Sequence, residues 1–180
     1  MCLLLSACSP QDSAPASTAA APIAADQAHS ILGAEGKGFT VGALMGANPV
    51  YVLFDPQCPH CGHLWNSSLP LHNKVKFVWL PVAIINAKSL PQGAALMQAA
   101  NPLETMTQHE QALLAGQGGM SASSSVPDEV AEAIKVNTGL LNRLGADSVP
   151  FIVARHPQTG QVITRTGSMA TQDLASLLGL

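Results

Sequence analysis

The apolar positions of this chain change their period several times. Pro49-Val50-Tyr51-Val52-Leu53-Phe54-Asp55 is a nearly unbroken apolar run closed by Pro56-Gln57, which predicts a buried strand. After Cys58-Pro59-His60-Cys61, the segment Gly62-His63-Leu64-Trp65 opens a helix expected to reach Leu69, where Pro70 stops or kinks it. In Lys74-Val75-Lys76-Phe77-Val78-Trp79-Leu80, residues Val75, Phe77 and Trp79 alternate with their neighbours, predicting a second strand. From Ser89 to about Leu144 the pattern is helical. A small-residue helix around Ala94–Ala100 ends at Asn101-Pro102, and Thr105–Leu114 forms another. A Gly/Ser loop follows from Gly116 to Ser125, and Pro127-Asp128-Glu129 starts a further helix. Phe151–Ala154 and Val162–Arg165 read as strands joined by a turn at Pro157-Gln158-Thr159-Gly160, and Thr171–Leu178 as a closing helix with Thr171 as its N-cap. Ile31–Gly46 is Gly-rich and unassigned apart from a short edge strand at Phe39-Thr40-Val41.

Composition narrows the picture. With 180 residues, 47% of them hydrophobic, the chain can bury one good core. A charged content of 11% and a net charge of −3 supply no basic face for nucleic acid. Leu5-Ser6-Ala7-Cys8 looks like a bacterial lipobox, in which Cys2 leaves with the signal and Cys8 carries lipid. The segment has no positively charged n-region and its apolar stretch is short, so simple export and a chance apolar tip stay open beside the lipoprotein reading. From Ser9 to about Gln27 the chain is rich in Ala, Pro, Ser and Thr and is expected to be a flexible tether. The expected division is a signal remnant at 1–8, a tether at 9–30 and a single domain at 31–180. No run approaches the roughly 20 apolar residues a spanning helix needs.

If Cys2 and Cys8 are accounted for in this way, Cys58 and Cys61 are the remaining thiols, and they form a C-x-x-C. A strand, a short turn and a C-x-x-C at a helix start make a redox arrangement. The N–H groups and partial positive charge of the helix terminus favour a thiolate, and the thiolate attacks disulfides. Cys58 is the expected nucleophile and Cys61, one turn on, the resolving thiol. Pro59 suits the first helical position, and His60 can stabilise the Cys58 thiolate. Asp55 reads as a strand-end cap rather than a proton relay. Trp65 and Trp79 read as packing residues.

Phe54-Asp55-Pro56-Gln57-Cys58-Pro59-His60-Cys61 resembles the active-site segment of the Dsb periplasmic disulfide oxidoreductases, the DsbG/DsbC group in particular. Leu144-Gly145-Ala146-Asp147-Ser148-Val149-Pro150-Phe151 looks like that family's loop carrying a cis-proline opposite the C-x-x-C. The resemblance spans roughly Pro49 to Leu180. It implies an α/β thioredoxin fold with an all-helical insertion, about residues 89–144, between the second and third core strands. It also implies disulfide interchange on cysteine-containing exported proteins, with Val149 and Pro150 contacting substrate. A membrane redox partner and no bound cofactor are implied as well. The chain departs from the group in three ways. No dimerisation domain precedes the first strand, which suggests a monomer. The Pro-His dipeptide and Val149 match the oxidase DsbA instead. Direction (oxidase, isomerase or reductase) therefore stays open. The acid that thioredoxin-type proteins place six residues before the first cysteine is here Val52, so the proton acceptor for Cys61 is not identified.

The competing class is metal binding through Cys58, Cys61, His60 and His63. A structural zinc site wants four ligands, usually from two separated pairs, and His29, His72, His109 and His156 are scattered. Gly62 stands where a c-type haem motif needs histidine.

Overall fold

A computed structural model describes residues 21–180. The signal and lipidation readings at Cys2 and Cys8, and most of the expected tether, lie outside the described residues. A mixed five-stranded sheet in the order β1-β3-β2-β4-β5 forms the middle layer: β1 Phe39–Gly42, β2 Val50–Phe54, β3 Lys76–Pro81, β4 Phe151–Arg155 and β5 Val162–Thr166. Helix α1 (Ala28–Glu35) precedes β1, α2 (Pro59–Ser68) joins β2 to β3, and α6 (Thr171–Leu177) closes the chain. Helices α3 (Ser89–Met97), α4 (Pro102–Leu114) and α5 (Asp128–Arg143) occupy the connection between β3 and β4, where the helical insertion was expected. Only β2 and β3 pair in parallel, as a helical crossover requires.

Every residue of β2 is buried because the strand is covered on both faces. Val50, Val52 and Phe54 point to one core with Trp65, Trp79, Leu96, Met106 and Leu174. Tyr51 and Leu53 point to the other with Leu32, Leu80, Leu140, Leu141 and Val153. Both tryptophans are fully buried, stacked edge-on with ring centroids 5.1 Å apart, and Trp79 meets Phe54 at 5.4 Å. These are core residues, the largest apolar surfaces the chain has to hide.

Two expectations need correction. The tether does not extend to residue 30: Ile23, Ala28 and His29 are buried, and the Ile23 N–H donates to the Arg143 carbonyl at 2.8 Å. The Arg143 guanidinium also pairs with Glu35 at 3.0 Å, so this segment is fastened to the end of α5. Alanine-rich composition hid this, because Ala28 and Leu32 need only one helical turn of spacing to make a buried stripe. Thr171 is likewise not the cap of α6. Ala170 holds that position, and the Thr171 hydroxyl donates to the Ser67 carbonyl at 2.9 Å, tying α6 to α2.

Candidate functional site

Strand pairing assembles the site. β2 is central, and it ends at Phe54; β4 runs antiparallel to it, with Leu53 opposite Phe151. The residues just after β2 and just before β4 therefore meet at one edge of the sheet, although 91 positions separate Cys58 from Val149. The Val149–Pro150 peptide bond is cis. The Cys58 thiol points across to it and donates to the Val149 carbonyl at 3.4 Å.

Cys58 is the N-cap of α2, with extended backbone, and Pro59 occupies the first turn, where its missing N–H costs nothing. The Cys58 carbonyl accepts from the N–H groups of Cys61 at 3.0 Å and Gly62 at 3.3 Å. Both thiols are free, and both are buried. They differ in acidity. The Cys61 side chain, donating to the Cys58 sulfur, pulls the Cys58 pKa down from about 9 to about 6; burial opposes this, and the backbone N–H groups of Cys61 and His60 and the charge of His60 add to the lowering. Cys61 goes the other way, pushed well above its ordinary range by complete burial, by the Cys58 thiolate and by Glu110. His60 and His63 are exposed on the first turns of α2, with ring centroids 6.3 Å apart. Among the described residues no three His, Cys, Asp or Glu side chains group as a metal site would need.

Asp55 is fully buried and saturated. Its carboxylate accepts from the backbone N–H groups of Gln57, Ile84 and Ile85 and from the Ser89 hydroxyl, all within 2.7–3.0 Å. It thereby ties the end of β2 to the turn before the cysteines and to the start of α3. The insertion supplies the rest of the site's wall. Gln57 donates to Gln92 at 2.6 Å and to the Gly118 carbonyl at 3.0 Å, and Gln92 donates to the carbonyls of Gly118 and Met120. The buried His109 ring bridges the Pro56 carbonyl at 2.8 Å and the Met120 N–H at 3.1 Å. Because Met120 can only donate, Nδ1 is the acceptor and Nε2 carries the proton. Gly119 has φ +78°, and a side chain there would run into the His109 ring, so glycine lets the loop lie flat over it. Glu110, the next residue of α4, is fully buried and packs against Gly62 and thus beside Cys61.

The readable half of the site thus lies on the sheet edge and α2; Gln92, His109, Glu110 and Met120 were not singled out from the sequence. One signal was available. Met106, Glu110 and Leu114 are spaced four apart on one helix, so a carboxyl sits in line with apolar residues where a solvent-facing acid would not.

Comparison with known proteins agrees with this geometry. No family model matches the chain. The thiol:disulfide interchange protein DsbG of Pseudomonas aeruginosa is 29% identical over 132 residues, covering 72% of this chain and 50% of that protein. DsbG of Escherichia coli is 30% identical over 105 residues, covering 57% of this chain and 42% of that one. Over these stretches the chain is similar to DsbG. It spans about half the length of the curated relatives it matches. The catalytic domain of Proteus mirabilis ScsC superposes with a TM-score of 0.65 at 15% identity, over 86% of this chain and 96% of that one. The chain therefore has a thioredoxin-like fold, with the helical insertion where sequence placed it.

Proposed function

We propose that the protein is an exported thiol–disulfide oxidoreductase whose working pair is Cys58 and Cys61. The observation that carries this reading is one juxtaposition: an acidified Cys58 thiol at the start of α2, 3.4 Å from the Val149 carbonyl beside Pro150, with a buried Cys61 one turn behind it. In one direction a substrate thiolate attacks Cys58 Sγ, the Cys58–Cys61 bond breaks, and a mixed disulfide forms. A second substrate thiolate then displaces Cys58 as the thiolate, leaving both cysteines reduced and the substrate oxidised. In the other direction the Cys58 thiolate attacks a substrate disulfide, and Cys61 resolves the adduct.

Val149 and Pro150 present backbone to an extended substrate chain next to Cys58, in the manner of strand addition. His60 and Pro59 shape the environment of the nucleophile. Substrates are cysteine-containing exported proteins, and a membrane redox partner resets the pair. The domain works as a monomer in the periplasm, and lipid on Cys8 with a short tether would hold it at a membrane. The resemblance to the periplasmic Dsb proteins and the N-terminal Leu5-Ser6-Ala7-Cys8 support this placement.

The thiolate bias at Cys58 has a redox consequence. With a pKa of about 6 in place of about 9, the dithiol gains about 1.4 kcal/mol at pH 7, which raises its potential by about 30 mV. That is a modest push toward disulfide donation, consistent with interchange without strong direction. The test is equilibration in glutathione buffers with thiol trapping. A reversible Cys58–Cys61 disulfide is expected. A potential well above the glutathione pool identifies a donor, and a lower one a reductase or isomerase. Failure to form any reversible disulfide overturns the proposal.

A further inference from the structure

Glu110 is an anomaly in the interior: apart from the Trp79 indole N–H, its carboxyl oxygens are the only buried side-chain polar atoms without a hydrogen-bond partner among the described residues. Its side chain is fully buried. It packs against the first turn of α2: a Cβ added to Gly62 would lie 2.6 Å from Glu110 Oε2 and 3.2 Å from Leu114. Gly62 directly follows Cys61. A buried carboxyl without donors stays protonated rather than charged, so the reduced site holds a neutral acid beside its resolving thiol.

Cys61 needs such a group. Its sulfur is completely buried, so its proton cannot pass straight to solvent when it must attack, nor come from solvent when it leaves. The other candidates are committed. Asp55 accepts four hydrogen bonds, the His109 nitrogens are engaged by Pro56 and Met120, and His60 and His63 face solvent. Val52 holds the strand position six residues before Cys58.

We propose that Glu110, from the helical insertion, is the proton-exchange partner of Cys61. The inference rests on the thiol–disulfide reading above and deepens it. When a substrate thiolate bonds to Cys58 Sγ, the S–S bond breaks with its electron pair on Cys61, and the Glu110 proton moves to that sulfur, leaving a carboxylate. In the reverse step the Glu110 carboxylate takes the Cys61 proton, Cys61 Sγ attacks Cys58 Sγ, and the substrate departs as thiolate. The Cys58 charge sets the timing. Burial and the Cys58 thiolate together hold Glu110 up to about 9. In a mixed disulfide that thiolate is gone; burial, the larger cause, remains, and the carboxyl gives up its proton to water at a lower pH than in the dithiol, leaving the base that Cys61 needs. Cys58 and Cys61 are the titratable groups that face Glu110 from α2; His109, its neighbour on α4, is turned toward Pro56 and Met120.

The test uses reduced protein mixed with excess dithiobis(nitrobenzoate), followed by release of the coloured thiolate. The first phase reports attack by Cys58 and the second reports displacement by Cys61. Glu110→Gln should slow the second phase roughly tenfold or more near pH 7 and shift its pH profile upward, while the first phase changes by less than about twofold. Glu110→Asp should restore part of the second phase. Equal slowing of both phases, or of neither, overturns the proposal. A wild type with no second phase defeats the exchange reading itself, and this proposal with it. A measurement on the wild type guards against a variant that does not fold: isotope-edited infrared titration of Glu110 before and after alkylation of Cys58. Ionisation at lower pH in the alkylated protein is expected, and an unchanged titration contradicts the mechanism.

Discussion

Cys58 and Cys61 are one helical turn apart, yet the fold drives their thiols in opposite directions. Cys58 caps the helix, where the Cys61 side chain and, less strongly, backbone N–H groups stabilise its thiolate at a pKa of about 6. Cys61 lies inside the first turn, fully buried between the sheet and α4, and its thiolate is penalised by burial and by neighbouring negative charge. The comparison teaches that the C-x-x-C spacing alone does not set roles. On the proposed reading, the Cys61 side chain and the helix terminus acidify the attacking thiol, and burial under the insertion keeps the resolving one protonated.

The sharpest way to break the comparison is to remove each sulfur in turn. Cys58→Ser should abolish exchange, whereas Cys61→Ser should leave attack intact and accumulate mixed disulfides at Cys58, visible on non-reducing gels. Trapping by the Cys58→Ser variant instead would reverse the assignment.

A second test reads the opposed electrostatics as stability. Cys58 titrates lower in the folded reduced protein than its ordinary value of about 9, so its contribution is complete above about 9 and is lost as pH falls through about 6. Glu110 titrates higher than its ordinary value of about 4.5, so its contribution is complete below that value and is lost as pH rises through about 9. Between pH 6 and 9 the two slopes oppose each other and nearly cancel. Denaturant unfolding of the reduced Glu110→Gln variant should therefore gain stability over this range relative to wild type, by on the order of 3 kcal/mol. Parallel curves for the two proteins would show that Glu110 does not titrate as described.

Gly62→Ala places a methyl against the Glu110 carboxyl and Leu114. It should cost about 1–3 kcal/mol in thermal or denaturant unfolding while leaving the Cys58 titration nearly unchanged. An equal disturbance of Cys58 would mean that α4 shapes both thiols. The smallest effect is expected at His60, whose exposed ring contributes only charge and a backbone N–H to the thiolate. His60→Tyr should raise the Cys58 pKa by less than one unit, as an exposed charge contributes about 0.2–1 kcal/mol, and should lower the redox potential slightly. A lower Cys58 pKa would contradict this.

Much of the fold was legible because its signals are local. The apolar run Val50–Phe54, the C-x-x-C behind it and the alternation at Phe77 and Trp79 each fix an element without knowledge of the rest. The pairing of Cys58 with Val149 was legible only through the resemblance carried by two short segments, since nothing local joins positions so far apart. Helix α1 was missed because its buried face consists of Ala28, His29 and Leu32, a stripe too small and too polar to stand out from an Ala-rich leader. Gln92, His109 and Glu110 were missed because polar residues on a helix read as its solvent face. What reverses that reading is the packing of α4 onto α2, a tertiary fact.

The central claim is the division of labour between the thiols, and site-resolved alkylation tests it most directly. Reduced wild-type protein is exposed to iodoacetamide across a pH series, and modification of each cysteine is quantified by mass spectrometry. Cys58 should react with a midpoint near pH 6 while Cys61 stays protected throughout the neutral range. A Cys58 midpoint near 9, or alkylation of Cys61 at a comparable rate, would contradict the account.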